Sequence, residues 1–150
     1  MKITRRDLCV ALAAALATTP AFTRAGQKPV MGSTAIDVNT IRAEPTYFRS
    51  VRHFFSSPTA TLENLELHVT TLNPGRQPHP PHHHANEELI LLQKGAVETL
   101  SNGKWKRVGA GSVIFNASNR QHGLRNVGGE PAVYFVVNWK SAATPASDAR

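Results

Sequence analysis

Short strand-like segments separated by frequent turn signals constrain the fold more than any other feature of the sequence. Apolar and polar residues alternate with a period of two over residues 65–69, as they do in half-buried strands. Over residues 51–55, Val51, His53 and Phe55 would share one strand face, with Arg52 and Phe54 on the other. Further segments bounded by Gly, Asn or Pro lie at 88–92, 97–100, 104–108, 112–115, 122–127 and 132–139. No stretch after residue 26 has a convincing apolar repeat near 3.6 residues. The sequence therefore predicts an all-β fold, an antiparallel sandwich or barrel of seven or eight strands.

One turn is specified by its residue types. Asn102-Gly103 lies between two of these segments, and both residues tolerate the positive φ angles of a type I′ turn. We expect a tight hairpin at this point, joining residues 97–100 to residues 104–108.

Composition divides the chain into four parts. Residues 1–25 combine a charged start, an apolar run and a small-residue exit, which is the pattern of a secretory signal peptide. Residues 26–45 contain Gly, Pro, Ser and Thr with few apolar side chains, and we expect a leader arm. Residues 46–140 carry the strands of a single domain, and residues 141–150 predict a disordered tail.

The start of the chain carries a sharper signal. Arg5-Arg6 followed by Leu8 resembles the twin-arginine export motif, which predicts a periplasmic or secreted protein. Cleavage after Ala25 or Ala21 would fit a small-residue site. An ordinary signal peptide with incidental arginines and an uncleaved amphipathic helix are the alternatives.

Composition also restricts the chemistry of the mature chain. Cys9 is the single cysteine and leaves with the signal, so any metal must be held by imidazole and carboxylate groups. Removal of residues 1–25 takes away four basic residues and one acidic residue, which lowers the net charge from +7 to +4. Because no basic run with interleaved aromatic residues is present, we expect no nucleic-acid partner, and no membrane partner after signal cleavage.

A cluster of histidine and glutamate residues between Gly75 and Gly95 is the most informative part of the chain. Residues two apart in a strand share a face, so His82, His84 and Glu88 can all point inward. The same parity points His83 and Glu87 outward.

A fourth candidate ligand, His122, follows a turn-rich stretch over residues 116–121. Neutral imidazoles with one carboxylate suit one divalent transition metal: Fe, Mn, Ni, Cu or Zn. Four protein ligands would leave open positions on a metal that prefers six. These residue types allow the site without identifying the metal.

The first part of this pattern resembles a motif of the cupin family: Gly, about five residues, His-x-His, three or four residues, Glu, six residues and Gly. In this chain Gly75 is followed by His82, His84, Glu88 and Gly95, with one inserted residue after Gly75. The second cupin motif is matched in spacing by Gly111, His122 and Asn126. Ala117 and Asn119 replace its proline and glycine, and Asn tolerates the left-handed conformation that such a turn requires.

The resemblance covers roughly residues 60–139 and implies a double-stranded β-helix, or jelly-roll, as a small barrel with a metal on His82, His84, Glu88 and His122. A cupin that has lost its metal is the alternative. His79 lies between prolines, and we expect it not to be a ligand. His53 and His68 are interpreted as ordinary surface or rim histidines.

The function implied is a small-molecule metalloenzyme. Intact sets of three histidines and one glutamate resemble those of metal-dependent cupins, among them dioxygenases of phenolic and diketone substrates. The predicted pocket is lined by Arg76, Ile90, Leu92, Leu124 and Tyr134, and its mostly apolar character favours an aromatic or otherwise apolar enolisable substrate. A non-catalytic metal-binding or ligand-binding protein, and a metal-dependent isomerase or lyase, are the alternatives.

We also expect a homodimer, because an open β-sandwich has strand edges that need covering. The apolar side chains of residues 46–55 are the candidates for that cover: Tyr47, Phe48, Val51, Phe54 and Phe55.

Overall fold

The computed structural model describes residues 28–148, and its regular elements are strands apart from one 3-10 turn at Val38–Thr40. The strands are β1 (Glu44–Pro45), β2 (Arg49–Ser57), β3 (Asn64–Leu72), β4 (Glu87–Lys94), β5 (Ala96–Ser101), β6 (Lys104–Gly109), β7 (Val113–Asn116), β8 (Gly123–Asn126) and β9 (Ala132–Lys140). The predicted all-β class is confirmed. The predicted signal peptide, residues 1–25, lies outside the described residues.

The strands form two antiparallel sheets that face each other, as a jelly roll requires. One sheet has six strands in the order β1-β2-β3-β9-β4-β7, and the other has three in the order β6-β5-β8. The predicted hairpin joins β5 to β6, where Asn102 and Gly103 have φ angles of 50° and 73°. Among residues 28–148, no helix is long and apolar enough to cross a bilayer.

The core lies between the two sheets. In the six-stranded sheet it is formed by even-numbered residues of β3, β4, β7 and β9, because successive side chains point to opposite faces. These residues are Leu72, Ile90, Leu92, Ile114, Ala132, Tyr134 and Val136. Val97 and Leu124 pack against them from the three-stranded sheet. The same inner face therefore also carries the even-numbered polar residues of these strands.

A β-bulge interrupts the pairing of β2 with β3. His53 pairs with His68 and Phe55 pairs with Leu67, so Phe54 is an extra residue on β2. The simple alternation predicted over residues 51–55 ends at this point, since a bulge shifts the pattern by one residue.

Both chain segments outside the barrel contact it. In the predicted leader arm, the backbone N–H of Met31 donates to the carbonyl of Pro58, and Lys28 Nζ donates to the carbonyl of Ser56. Of the tail predicted to be disordered, residues 141–148 are described, and Asn119 bonds both the carbonyl of Ala146 and the N–H of Asp148. The Asn119 side chain was not expected to have this role from the sequence.

Candidate metal centre

Two loops bring the candidate ligands together at one end of the barrel. His82 and His122 form an isolated antiparallel bridge, in which each backbone N–H donates to the other residue's carbonyl at 2.9 Å. The N–H of Asn119 donates to the carbonyl of His84, and Ser118 Oγ donates to the carbonyl of Ala85. These hydrogen bonds hold the segment with His82 and His84 against the loop that precedes β8.

The local conformation differs from the predicted continuous strand. β4 begins at Glu87, and a bend at Ala85 and Asn86 separates it from His84. Asn86 Nδ2 donates to Asn138 Oδ1 at 2.7 Å, which anchors this bend to β9. His82 and His84 therefore reach the site from a loop fixed by hydrogen bonds, and only Glu88 reaches it from a regular strand.

The three histidines converge on one point. One potential ligand atom from each of His82, His84 and His122 lies within 4.8 Å of the other two. Adjacent ligand atoms on one metal ion lie about 3.0–3.4 Å apart, so atoms at this upper limit would move closer together when an ion binds. This convergence is the property that a metal centre needs.

Glu88 lies beside this group. Its carboxylate oxygens are 4.0 Å from His84 Nε2 and 4.0 Å from His122 Nε2. Asn116 Nδ2 donates to Glu88 Oε1 at 2.8 Å and fixes the carboxylate on the inner face of the sheet. The structure thus brings together all four residues that the sequence selected as ligands.

Hydrogen bonds determine which nitrogen of each imidazole ring is available to bind a metal ion. Nδ1 of His84 donates to the carbonyl of Asn86, and Nδ1 of His122 donates to the carbonyl of Arg120, both at 2.8 Å. A neutral imidazole that donates from Nδ1 has its lone pair on Nε2. His122 Nε2 is buried and has no hydrogen-bond partner among the described residues. An orphaned lone pair beside two other imidazoles and a carboxylate fits a bound metal ion.

The environment favours the neutral forms of His82 and His122. Burial, together with the neighbouring His79, His122 and His84, lowers the pKa of His82 to about 4. Burial also lowers the pKa of His122. Because a metal ion binds the unprotonated ring, the lowered pKa values favour binding at neutral pH.

A cavity of about 90 Å³ adjoins the centre. Of the predicted pocket residues, Ile90, Leu124 and Tyr134 line it, alongside Glu88 and His122. Two predicted residues lie elsewhere. Leu92 is in the core with 1% of its surface exposed, and Arg76 lies over the ring of Tyr47 on the surface.

Five polar residues that the sequence did not select also line the cavity: Arg49, His68, Thr70, His79 and Asn116. Arg49 and His68 come from β2 and β3, which are remote in sequence from the ligand segment. The alternation of His68 with Thr70 and Leu72 on one strand face was the available signal, but it could not show which face is inward. The interpretation of His68 as a surface or rim histidine misses its position in the cavity wall.

The residues predicted to point away from the centre have other partners. Glu87 accepts a hydrogen bond from the indole of Trp139, on the outer face of the sheet. His83 lines a separate surface depression. His79 lines both that depression and the central cavity, and its ring packs edge-on against that of His82, with centroids 4.2 Å apart. Asn126, the last residue of the second motif, is buried and binds the carbonyls of Leu72 and Glu130.

Comparison with known proteins agrees with this architecture. Residues 68–138 match a family model described as a cupin domain. A predicted oxalate decarboxylase from Thermotoga maritima has a similar structure, with a TM-score of 0.60 and 18% identity over 71% of this chain and 99% of that chain. A polyketide cyclase, RemF from Streptomyces resistomycificus, has a TM-score of 0.60 and 19% identity over 79% of this chain and 88% of that one.

KdgF from Halomonas sp. has a TM-score of 0.59 and 14% identity, over 70% of this chain and 94% of its own. A search of curated proteins finds no match. At these identities, the structural likeness shows the fold alone.

Proposed function

Residues 68–138 match the cupin domain family, and from this premise we propose that the chain is a metal-dependent enzyme of dioxygenase or oxidoreductase type acting on a small enolisable molecule. The fold does not select the reaction, because structures with this fold include a predicted decarboxylase and a polyketide cyclase. The proposal therefore depends on the site.

The observation that carries the proposal is the convergence of three imidazoles and one carboxylate beside a cavity. His82, His84, His122 and Glu88 would hold one divalent transition metal, whose identity their ligand types do not restrict further. A bound metal would supply Lewis acidity, or a redox couple, at a position open to the cavity.

The cavity wall suits the oxygen-rich end of an otherwise apolar molecule. Arg49 lines it, and no carboxylate of the described residues forms an ion pair with this guanidinium. Burial raises the pKa of Tyr134, which keeps its hydroxyl protonated at neutral pH. Together these two groups can stabilise a developing oxyanion, while Ile90, Leu124 and Val136 provide apolar contacts and exclude water.

Oxygen uptake by the metal-loaded protein tests this proposal. With an electron-rich phenol or a 1,3-diketone, uptake should disappear in His84→Ala and persist in His83→Ala, because only His84 lies in the converging group. Metal content and ligand binding should be measured on the same samples. Binding of these compounds without turnover under air would contradict an oxygenase.

A non-catalytic binding protein is the second candidate, and the size of the cavity limits its ligand to a small molecule. A volume of about 90 Å³ holds only a few water molecules or a small organic group. In that case the metal-loaded protein should bind small oxyanions with Arg49-dependent affinity and convert none of them. An isomerase or lyase would instead change the substrate without consuming oxygen.

We further propose that the protein is exported by a twin-arginine signal and acts in the periplasm or outside the cell. The support is the Arg5-Arg6 pair ahead of the apolar run. Export of a folded protein would allow the metal site to be filled before copper and zinc, which bind more tightly than manganese or iron, can compete. Replacement of Arg5 and Arg6 by Lys should retain the precursor in the cytoplasm, and normal export of that variant would contradict the proposal.

Finally, we propose that the protein is a homodimer. Of the aromatic residues predicted to cover the edge, Tyr47 is 82% exposed, whereas Phe48 packs against the core. The outer face of the six-stranded sheet adds exposed apolar side chains at Leu91, Val113 and Phe115. A second copy of the chain would cover this apolar face.

A further inference from the structure

We propose that His53, Glu66 and His68 form a second binding site for a divalent transition metal, separate from the central site. The three residues lie on β2 and β3, and none belongs to the central ligand set. The inference does not depend on the proposed reaction.

The pairing of the strands brings the three side chains together. His53 on β2 is the direct partner of His68 on β3, so the two rings lie on the same face, with centroids 5.4 Å apart. Glu66 lies two residues before His68 on β3 and therefore shares that face. The bulge at Phe54 follows immediately after His53 and bends β2 at this point.

The distances fit a single ion. One potential ligand atom of each residue lies within 4.8 Å of the other two. His68 Nδ1 and Glu66 Oε1 are already 3.2 Å apart, close to the separation of adjacent ligands on one metal, about 3.0–3.4 Å. The same 4.8 Å limit holds for the central group of histidines.

A neighbouring strand offers a fourth donor. Glu44 on β1 has a carboxylate oxygen 4.0 Å from His53 Nε2. Two imidazoles with one or two carboxylates form a ligand set that suits Zn²⁺, Co²⁺, Ni²⁺ or Cu²⁺, with the remaining positions filled by water. Two carboxylates would also offset the charge of a divalent ion.

Exposure permits an ion to enter this cluster from solvent. The side chain of His53 is 52% exposed and that of Glu66 is 32% exposed, whereas that of His68 is only 20% exposed. His68 also lines the central cavity, so an ion bound here would lie at the rim of that cavity.

Cobalt stoichiometry tests the second site. The full chain, stripped with a chelator and titrated with Co²⁺ alone, should bind two ions per chain by calorimetry and by elemental analysis. His53→Asn and Glu66→Gln should each lower the stoichiometry from two to one. Glu63→Gln is the matched control, because Glu63 is a half-exposed carboxylate that pairs with Lys140.

One substitution in each site distinguishes the two metal sites. His84→Ala should lose the central ion and retain the second, and His53→Asn should do the reverse, so failure of one site is distinguishable from failure of the other. Far-ultraviolet circular dichroism would establish that each variant is folded. A single ion in the wild-type protein at millimolar Co²⁺ that is lost in His84→Ala and retained in His53→Asn would overturn the proposal, as would an unchanged stoichiometry of two in His53→Asn and Glu66→Gln.

Discussion

At the scale of single residues, the central site depends on side chains that orient the ligands as well as on the ligands themselves. The sequence could select His82, His84, Glu88 and His122 because their spacing matches two motifs. It could not select Arg49 or His68, since their place in the cavity follows from strand pairing over long sequence distances. The sequence could not select Asn116 either, because it reaches Glu88 only through the pairing of β4 with β7.

Asn116 provides a test of this positioning role. Its amide fixes Glu88 through a hydrogen bond of 2.8 Å, and loss of such a partner commonly weakens metal binding by about 10–100-fold. We expect Asn116→Ala to lower metal affinity by about tenfold while the stoichiometry at the central site remains one. Asn64→Ala, on β3 and away from the centre, is the control. Equal affinities in the two variants, measured by competition with a chelator, would contradict the role of Asn116.

Tyr134 predicts a response to alkaline pH. Burial raises its pKa above the ordinary value of 10.0, so above pH 10 the unfolded chain loses a proton that the folded protein retains. The free energy of unfolding should therefore fall as pH rises above 10. Tyr134→Phe should reduce this fall, as measured by urea unfolding between pH 8 and pH 11. Identical pH dependence in the variant and the wild type would show that Tyr134 does not titrate differently on unfolding.

At the scale of elements, turn residues predicted most of the strand boundaries. The structure differs from that prediction where the backbone is irregular. Asn102-Gly103 forms the expected hairpin. The bulge at Phe54 was not predicted, because a single extra residue has no composition signal of its own. The segment with His82 and His84 was predicted as a strand from parity, whereas hydrogen bonds to the loop before β8 hold it outside any regular strand, with His82 in an isolated bridge to His122.

Substitution of two glycines distinguishes the effect of backbone conformation on stability from the effect of close packing. Gly95 has a φ of 89°, and a Cβ there would lie 2.8 Å from the Cα of Ala132. Gly111 has a similar φ of 85°, but a Cβ there would have no neighbour within 4 Å. We expect Gly111→Ala to lower the free energy of unfolding by about 1–2 kcal/mol and Gly95→Ala by about 2–4 kcal/mol. Equal losses in urea unfolding would show that the contact with Ala132 relaxes without cost.

At the scale of the whole molecule, the fold class followed from the sequence because alternation, turn residues and motif spacing all favoured the same architecture. The surface that a second copy of the chain could cover did not follow from the sequence. Residues 46–55 were selected as an apolar edge, but exposure of Val113 and Phe115 depends on which sheet face the core covers.

The proposed dimer predicts an effect of charge on this outer face. Phe115 is 51% exposed and stacks near Trp139, with ring centroids 6.3 Å apart. Phe115→Lys should convert a dimer into a monomer at micromolar concentration, because it places an unpaired charge in an apolar interface. Lys106→Glu, on an exposed position of β6, is the control. A wild-type monomer in sedimentation would contradict the dimer directly.

Metal content of paired variants tests the central site most directly. His84 and His83 are neighbours, but only His84 contributes to the converging group with His82 and His122. Titration with Co²⁺ in the background of His53→Asn, which isolates the centre from the proposed second site, should give one ion per chain. That ion should be lost on adding His84→Ala and retained on adding His83→Ala, with Glu88→Gln weakening it and Glu87→Gln leaving it unchanged. Loss of the ion in the His83 and Glu87 variants, with retention in the His84 and Glu88 variants, would contradict the account.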